Sequence, residues 1–173
     1  MPRHLILVGL PGAGKSTVGR ILADRLGTHW TDIDPIIERA TGLSIADLFA
    51  EEGEPAFRER ERLAVIQALR LPPHVVTPGG GWAAVDGNLA TVAEHGFPIH
   101  LAVDPDVAAA RLADDRARPL LAGPDRVARL RDLARVRLPW YRQAAAEVDA
   151  GTGSAAEVAD RLLALARARA GWP

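Results

Sequence analysis

The sequence predicts an α/β fold in which a central, mainly parallel five-stranded sheet lies between two layers of helices, and three observations carry that prediction. The uninterrupted apolar run Leu5-Ile6-Leu7-Val8 reads as a strand buried on both faces, as strands of parallel sheets are. A glycine-rich turn from Gly9 to Gly14 leads at once into Val18, Ile21, Leu22 and Leu26, spaced as one face of a helix. Beyond it, short β-type runs alternate with helical patterns to the end of the chain. Parallel strands need such crossover helices between them.

The first turn satisfies G-x-x-x-x-G-K-[ST] through Gly9, Gly14, Lys15 and Ser16, in the strand-to-helix context that gives the pattern its chemistry. It is a P-loop. Glycines let the backbone of Gly12, Ala13, Gly14, Lys15, Ser16 and Thr17 wrap around the phosphates of a nucleoside triphosphate, and the helix N-terminus adds oriented N–H groups. Lys15 supplies positive charge, and the Ser16 hydroxyl suits Mg²⁺. Lys15 is the one lysine among 21 basic residues, the rest being arginines, which points to a place where a compact ammonium fits among phosphates and a planar fork does not.

At 173 residues the chain is expected to form one domain with a substantial core. Its formal net charge of −1 excludes a polyanion-binding surface as the main feature, so no nucleic-acid partner is expected. The absence of cysteine removes disulfides and thiolate metal sites. The N-terminus enters the first strand with no room for a signal peptide, and no apolar run approaches the roughly 18 residues of a membrane span. A cytoplasmic, membrane-free protein is expected, and nothing demands more than a monomer.

Gly27 is a plausible stop for the first helix. His29 to Asp34 reads as a strand running into a loop, which puts Asp32 and Asp34 at the sheet edge where ligands bind, as candidates for Mg²⁺ and substrate contacts. Pro35 suits the first turn of a following helix, Gly42 closes it, and Ser44 with Asp47 resembles a cap for the next. Gly53 breaks the pattern before a helix from about Glu54 to Leu69, whose apolar positions Phe57, Leu63, Ile66 and Leu69 are only approximately periodic. The charge run Arg58 to Arg62 there is mostly a solvated face. His74 to Thr77 is a compact strand, and Thr77 at its end is within reach of a metal or its waters. Pro78-Gly79-Gly80-Gly81 follows, three glycines whose amides a ligand can approach.

A helix over about residues 87–95 leads to a strand Ile99 to Val103, and Asp104 caps a helix opened by Pro105. Between Asp114 and Asp125 the periodicity lapses, and two arginines, two prolines and a glycine read as a flap. A helix from Asp125 to about Ala146 sets Leu130, Leu133, Val136 and Tyr141 inward. Glu147 to Asp149 is the last strand, and Ser154 with Glu157 is a capping box for the final helix.

Taken together, the turn from Gly9 to Thr17, Asp32 with Asp34, Arg58, the triglycine, Arg118-Pro119-Leu120-Leu121 and Arg137 resemble shikimate kinases, in order and over essentially the whole chain. The resemblance implies transfer of the ATP γ-phosphoryl group to the 3-hydroxyl of shikimate, in the route to chorismate and the aromatic amino acids. It implies that Asp34 binds substrate hydroxyls and serves as base, that Arg58 and Arg137 hold the carboxylate, and that Gly79, Gly80 and Gly81 lie against the substrate. It further implies Mg²⁺ on Ser16, with Asp32 acting through water, Lys15 and Arg118 on the phosphates, and Arg111 and residues 152–155 by the adenine. Phe49, Phe57, Glu61, Pro119 and Leu120 fit the supporting pocket. On the same basis residues 33–61 form the substrate-binding helices and residues 113–125 a mobile lid within a single domain spanning 1–173. Trp82 and Pro78 depart from the family pattern and imply a shifted pocket wall. The rivals are another small P-loop kinase, acting on gluconate or a nucleotide, and an ATP-binding module without turnover. Two arginines and a triglycine argue against the first, and the set Lys15, Asp34 and Arg118 against the second.

Overall fold

In a computed structural model, which describes residues 1–112 and 125–173, five strands form one sheet. They are β1 (His4–Val8), β2 (Trp30–Asp32), β3 (Val75–Thr77), β4 (Gly96–Ala102) and β5 (Ala146–Asp149), in the order β2-β3-β1-β4-β5 with every pairing parallel. Around them, among the described residues, lie α1 (Lys15–Leu26), α2 (Ile33–Thr41), α3 (Ile45–Ala68), α4 (Asn88–Val92), α5 (Pro105–Arg111), α6 (Arg126–Tyr141) and α7 (Ala155–Arg169). The expected α/β architecture is present.

β1 shows how the layers arise from a period of two. All five of its residues are buried. Leu5 and Leu7 pack on one face with Val18 and Leu22 of α1, Leu162 of α7 and Trp172. Ile6 and Val8 pack on the other with Ile33, Phe57, Trp82 and Tyr141. Truncating any of these strand leucines or isoleucines to alanine would cost about 2–5 kcal/mol. β1 is also central in the sheet, so the turn that follows it opens at the crevice where neighbouring crossovers diverge.

Several boundaries differ from the sequence expectation. The strand expected over 29–34 stops at Asp32, and α2 begins at Ile33, so Asp34 stands in the first helical turn rather than in a loop. α3 is continuous in hydrogen bonding but breaks its helical dihedrals at Gly53 (φ 81°, ψ 165°), as expected. Its buried stripe, however, is Phe57, Glu61, Val65 and Ala68, while Leu63 is exposed. The inward position was disguised because a glutamate occupies it.

The helix expected over 87–95 is only Asn88–Val92, preceded by a 3₁₀ turn at Trp82–Ala84, and β4 starts three residues early at Gly96. Pro98 sits inside β4 without harm. Its carbonyl accepts from Ala145 on the β5 side, and β5 begins pairing only at Ile99 with Ala146, so the missing donor points past the end of that strand. α6 ends at Tyr141 rather than near Ala146, and Val136, expected inward, is exposed. The capping box of α7 is present, with the Glu157 amide donating to Ser154 Oγ and the Ser154 amide to Glu157.

Candidate active site

The turn after β1 adopts a conformation that its glycines permit. Gly12 has φ 81°, and a Cβ there would stand 2.5 Å from the Ala108 carbonyl oxygen of α5. Lys15, almost fully buried, donates from Nζ to the carbonyls of Gly9 (3.0 Å) and Leu10 (3.1 Å). The ammonium is thereby folded over the turn. Ser16 Oγ donates to Asp32 Oδ2 at 2.7 Å, joining the start of α1 to the end of β2.

Gly12, Lys15, Ser16 and Asp32 line a cavity of about 460 Å³ with Ala13, Gly14, Thr17, Asp34, Gly79 and Gly80. Arg111 and Leu112 at the end of α5 line it too, together with Ala150 and Gly153 ahead of α7 and Ala155 at its start. Arg111 Nη1 lies 3.4 Å from the Gly12 carbonyl. The segment before α7 is held in place from behind. Arg161 donates to the carbonyls of Asp149 (2.9 Å) and Thr152 (2.7 Å), and Thr152 Oγ1 donates to Asp149.

A second cavity of about 620 Å³ is lined by Arg58, Arg62, Gly81, Val136, Arg137 and Trp140. The triglycine is the wall between the two, with Gly79 and Gly80 on one side and Gly81 on the other. Its lack of side chains is what lets four groups crowd onto it. A Cβ on Gly79 would meet Glu61 Oε1 at 2.5 Å and Asp34 Oδ1 at 3.2 Å. One on Gly80 would meet Pro11 at 2.9 Å, and one on Gly81 would overlap the Arg58 guanidinium.

Arg58 is fixed by carboxylates and rings. Its Nη1 donates to Glu61 Oε2 at 2.7 Å and its Nη2 to Glu54 Oε1 at 3.0 Å, while its guanidinium carbon lies 5.2 Å from the Phe57 ring centroid and 5.8 Å from that of Phe49. Glu61 has no exposed surface and spends its other oxygen on the Gly79 N–H, at 2.9 Å. Burial pushes the Glu61 carboxyl above its ordinary range while Arg58 pulls the other way. Burial also works against the Arg58 charge, but Glu61 and Glu54 outweigh it and hold the guanidinium protonated.

The structure thus brings Gly12 to Thr17, Asp32, Asp34, Gly79 and Gly80 to one cavity, and Arg58, Gly81 and Arg137 to the next. Arg118, Pro119 and Leu120 lie outside the described residues. Thr77 does not point to the phosphate turn. It is buried and accepts from Trp30 Nε1 at 3.0 Å, across Gly19. Trp82 is buried with Ile6, Val76 and Tyr141 and lines neither cavity, whereas Pro78 lines the first. One group escaped sequence reasoning as a site residue. Tyr141, read only as core, donates its hydroxyl to the Gly80 carbonyl at 2.5 Å. The available signal was that this is the chain's only tyrosine, four residues after Arg137 and so on the same helix face.

A family model described as shikimate kinase matches residues 11–167. A relative named shikimate kinase from Caulobacter vibrioides (strain NA1000 / CB15N) is 42% identical over 149 residues, covering 86% of this chain and 74% of its own. One of the same name from Thermobifida fusca is 48% identical over 140 residues, covering 81% and 80%. Among solved structures, shikimate kinase from Acinetobacter baumannii in complex with shikimate superposes with a TM-score of 0.91 at 34% identity, covering 97% of this chain and 94% of that one.

Proposed function

The chain belongs to the shikimate kinase family, and on that premise we propose that its two adjoining cavities carry ATP and shikimate and that phosphoryl transfer to the 3-hydroxyl takes place beside Asp34, on the Gly79 and Gly80 side of the glycine wall. The carrying observation is the placement of charges. Lys15 and the phosphate turn open on the side of Gly79 and Gly80, and Arg58 and Arg137 line the cavity on the side of Gly81. A small hydroxylated acid bridges such a pair of cavities with its carboxylate toward the guanidiniums and its hydroxyls toward Asp34. Arginine forks suit a carboxylate through paired, charge-assisted hydrogen bonds.

In this reading Asp34 orients the 3-hydroxyl and accepts its proton as the bond to the γ-phosphorus forms and the bond to the β,γ-bridging oxygen of ADP breaks. Lys15, with Arg118 from the segment over 113–125, stabilises charge on the phosphate oxygens, and closure of that segment excludes water. Arg111 and residues 152–155 hold the nucleoside. The hydroxyl of Ser16 and the carboxylate of Asp32, 2.7 Å apart beside the phosphate turn, are hard oxygen donors of the kind Mg²⁺ takes. Bound there, the ion neutralises phosphate charge. We further read residues 1–173 as a single kinase domain, with substrate-binding helices over 33–61, acting as a cytoplasmic monomer without nucleic-acid or membrane partners. No helix among the described residues is long and apolar enough to cross a membrane.

The test is a coupled ADP-release assay in which shikimate, gluconate and nucleoside monophosphates are compared side by side. Release that requires shikimate supports the reading. Equal release without any acceptor, or preference for gluconate or a nucleotide, overturns it.

A further inference from the structure

Gly80 and Gly81 are the two wall residues whose N–H groups meet no acceptor among the described residues, whereas the Gly79 N–H is taken by Glu61. The Gly80 carbonyl is the other half of the Gly81 peptide, and in a trans peptide the C=O and N–H point in opposite directions. Whatever holds that carbonyl therefore aims the Gly81 N–H. The group that holds it is the Tyr141 hydroxyl, at 2.5 Å. Tyr141 is itself clamped. It is almost fully buried at the end of α6, and its ring stacks on His100 of β4 with centroids 4.8 Å apart and planes 23° apart. His100 in turn is held by Glu147 of β5 at 2.9 Å.

We propose that Tyr141 is a positioning residue for the acceptor, fixing the Gly80–Gly81 peptide so that the Gly81 N–H faces the cavity that Arg58 and Arg137 line. This rests on the reading of that cavity as the shikimate site. Tyr141 touches no substrate. It acts through the wall, and it sits one helical turn beyond Arg137, so α6 sets the guanidinium and the peptide together. Burial raises the hydroxyl's pKa to about 12, with Arg137 opposing, which keeps it a donor throughout the working range.

The experiment compares Tyr141→Phe with His100→Leu under steady-state kinetics and thermal unfolding. Phenylalanine keeps the ring stack and loses only the hydroxyl, so the expected result is a rise in shikimate KM of about tenfold, with ATP KM unchanged and unfolding shifted little. His100→Leu keeps the hydroxyl bond and loses the stack, so it lowers the unfolding midpoint and raises shikimate KM less than Tyr141→Phe does. A merely structural role would move both variants alike, or both KM values together, and either pattern overturns the proposal. The wild-type protein offers a second readout, because its single tyrosine gives one line when labelled with ¹³C at Cζ. That line is expected to move on addition of shikimate alone, and a line that stays put while shikimate binds contradicts the proposal. Failure of wild-type protein to phosphorylate shikimate would instead remove the reading on which the inference rests.

Discussion

Glu61→Ala removes two hydrogen bonds from a position without solvent access. The charge-assisted bond to Arg58, at 2.7 Å, is worth about 1.5–3 kcal/mol, and the stranded Gly79 N–H costs about 1–3 kcal/mol. The sum, about 2.5–6 kcal/mol, brackets the usual cost of about 3–5 kcal/mol for breaking a buried ion pair from one side. At about 2–4 °C per kcal/mol for a chain of this length, the unfolding midpoint should fall by about 10 °C. Function should suffer selectively. Arg58 keeps only Glu54 as carboxylate partner among those described, which draws its guanidinium away from Gly81, so shikimate KM rises while ATP KM holds. Glu61→Gln retains an oxygen for the Gly79 N–H and should recover roughly half of the lost stability. Urea unfolding and steady-state kinetics on both variants test this. An alanine variant within 1 kcal/mol of wild type with unchanged shikimate KM would refute the reasoning, the threshold being about the size of one ordinary hydrogen bond.

Lys15→Arg should leave the fold intact and reduce kcat by at least about a hundredfold, since a guanidinium cannot replace an ammonium held 3.0 and 3.1 Å from two carbonyls of the turn; a coupled assay with circular dichroism checks both halves. Arg137→Ala should raise shikimate KM by about 10- to 100-fold with little change in ATP KM, the size of one charged hydrogen bond lost from uniform binding. The same change at Arg58 should additionally destabilise the protein, because it leaves Glu61 buried without its cation. Acid should destabilise through His4. Burial and then His74 lower its pKa from 6.5 to about 4, so between those values the unfolded chain binds the proton and the native one does not. Stability is complete above pH 6.5 and falls as pH drops toward 4, by up to about 3 kcal/mol, and His4→Phe should flatten that limb in pH-dependent urea titrations.

Local chemistry was readable wherever one short stretch holds all its partners. The phosphate turn, the capping box at Ser154 and the helix break at Gly53 depend on residues within a few positions of one another, and each stands where the sequence puts it. Periodicity did not mark Glu61 as core, although the family resemblance set it at the supporting pocket, because what makes its burial tolerable is Gly79, 18 positions away, as well as Arg58 on the preceding turn. With Glu61 on the inward face, Leu63 two positions on is exposed. Thr77 pointed to metal only until Trp30, 47 positions earlier, claimed its oxygen. The early start of β4 was hidden by Pro98, a residue that argues against a strand unless the end of the neighbouring strand is known. Tyr141 and Gly80 are 61 positions apart, and no periodicity connects them.

The central claim is that one carboxylic acid lies between Arg58 and Arg137 and reaches past the triglycine to set its hydroxyl beside Asp34, on the side of the phosphate turn. A crystal structure of the protein with shikimate and Mg²⁺·ADP tests it most directly. The account predicts the carboxylate within hydrogen-bond distance of both guanidiniums and the 3-hydroxyl beside Asp34. Shikimate bound with its carboxylate away from both arginines, or with Asp34 out of reach of any hydroxyl, would contradict it.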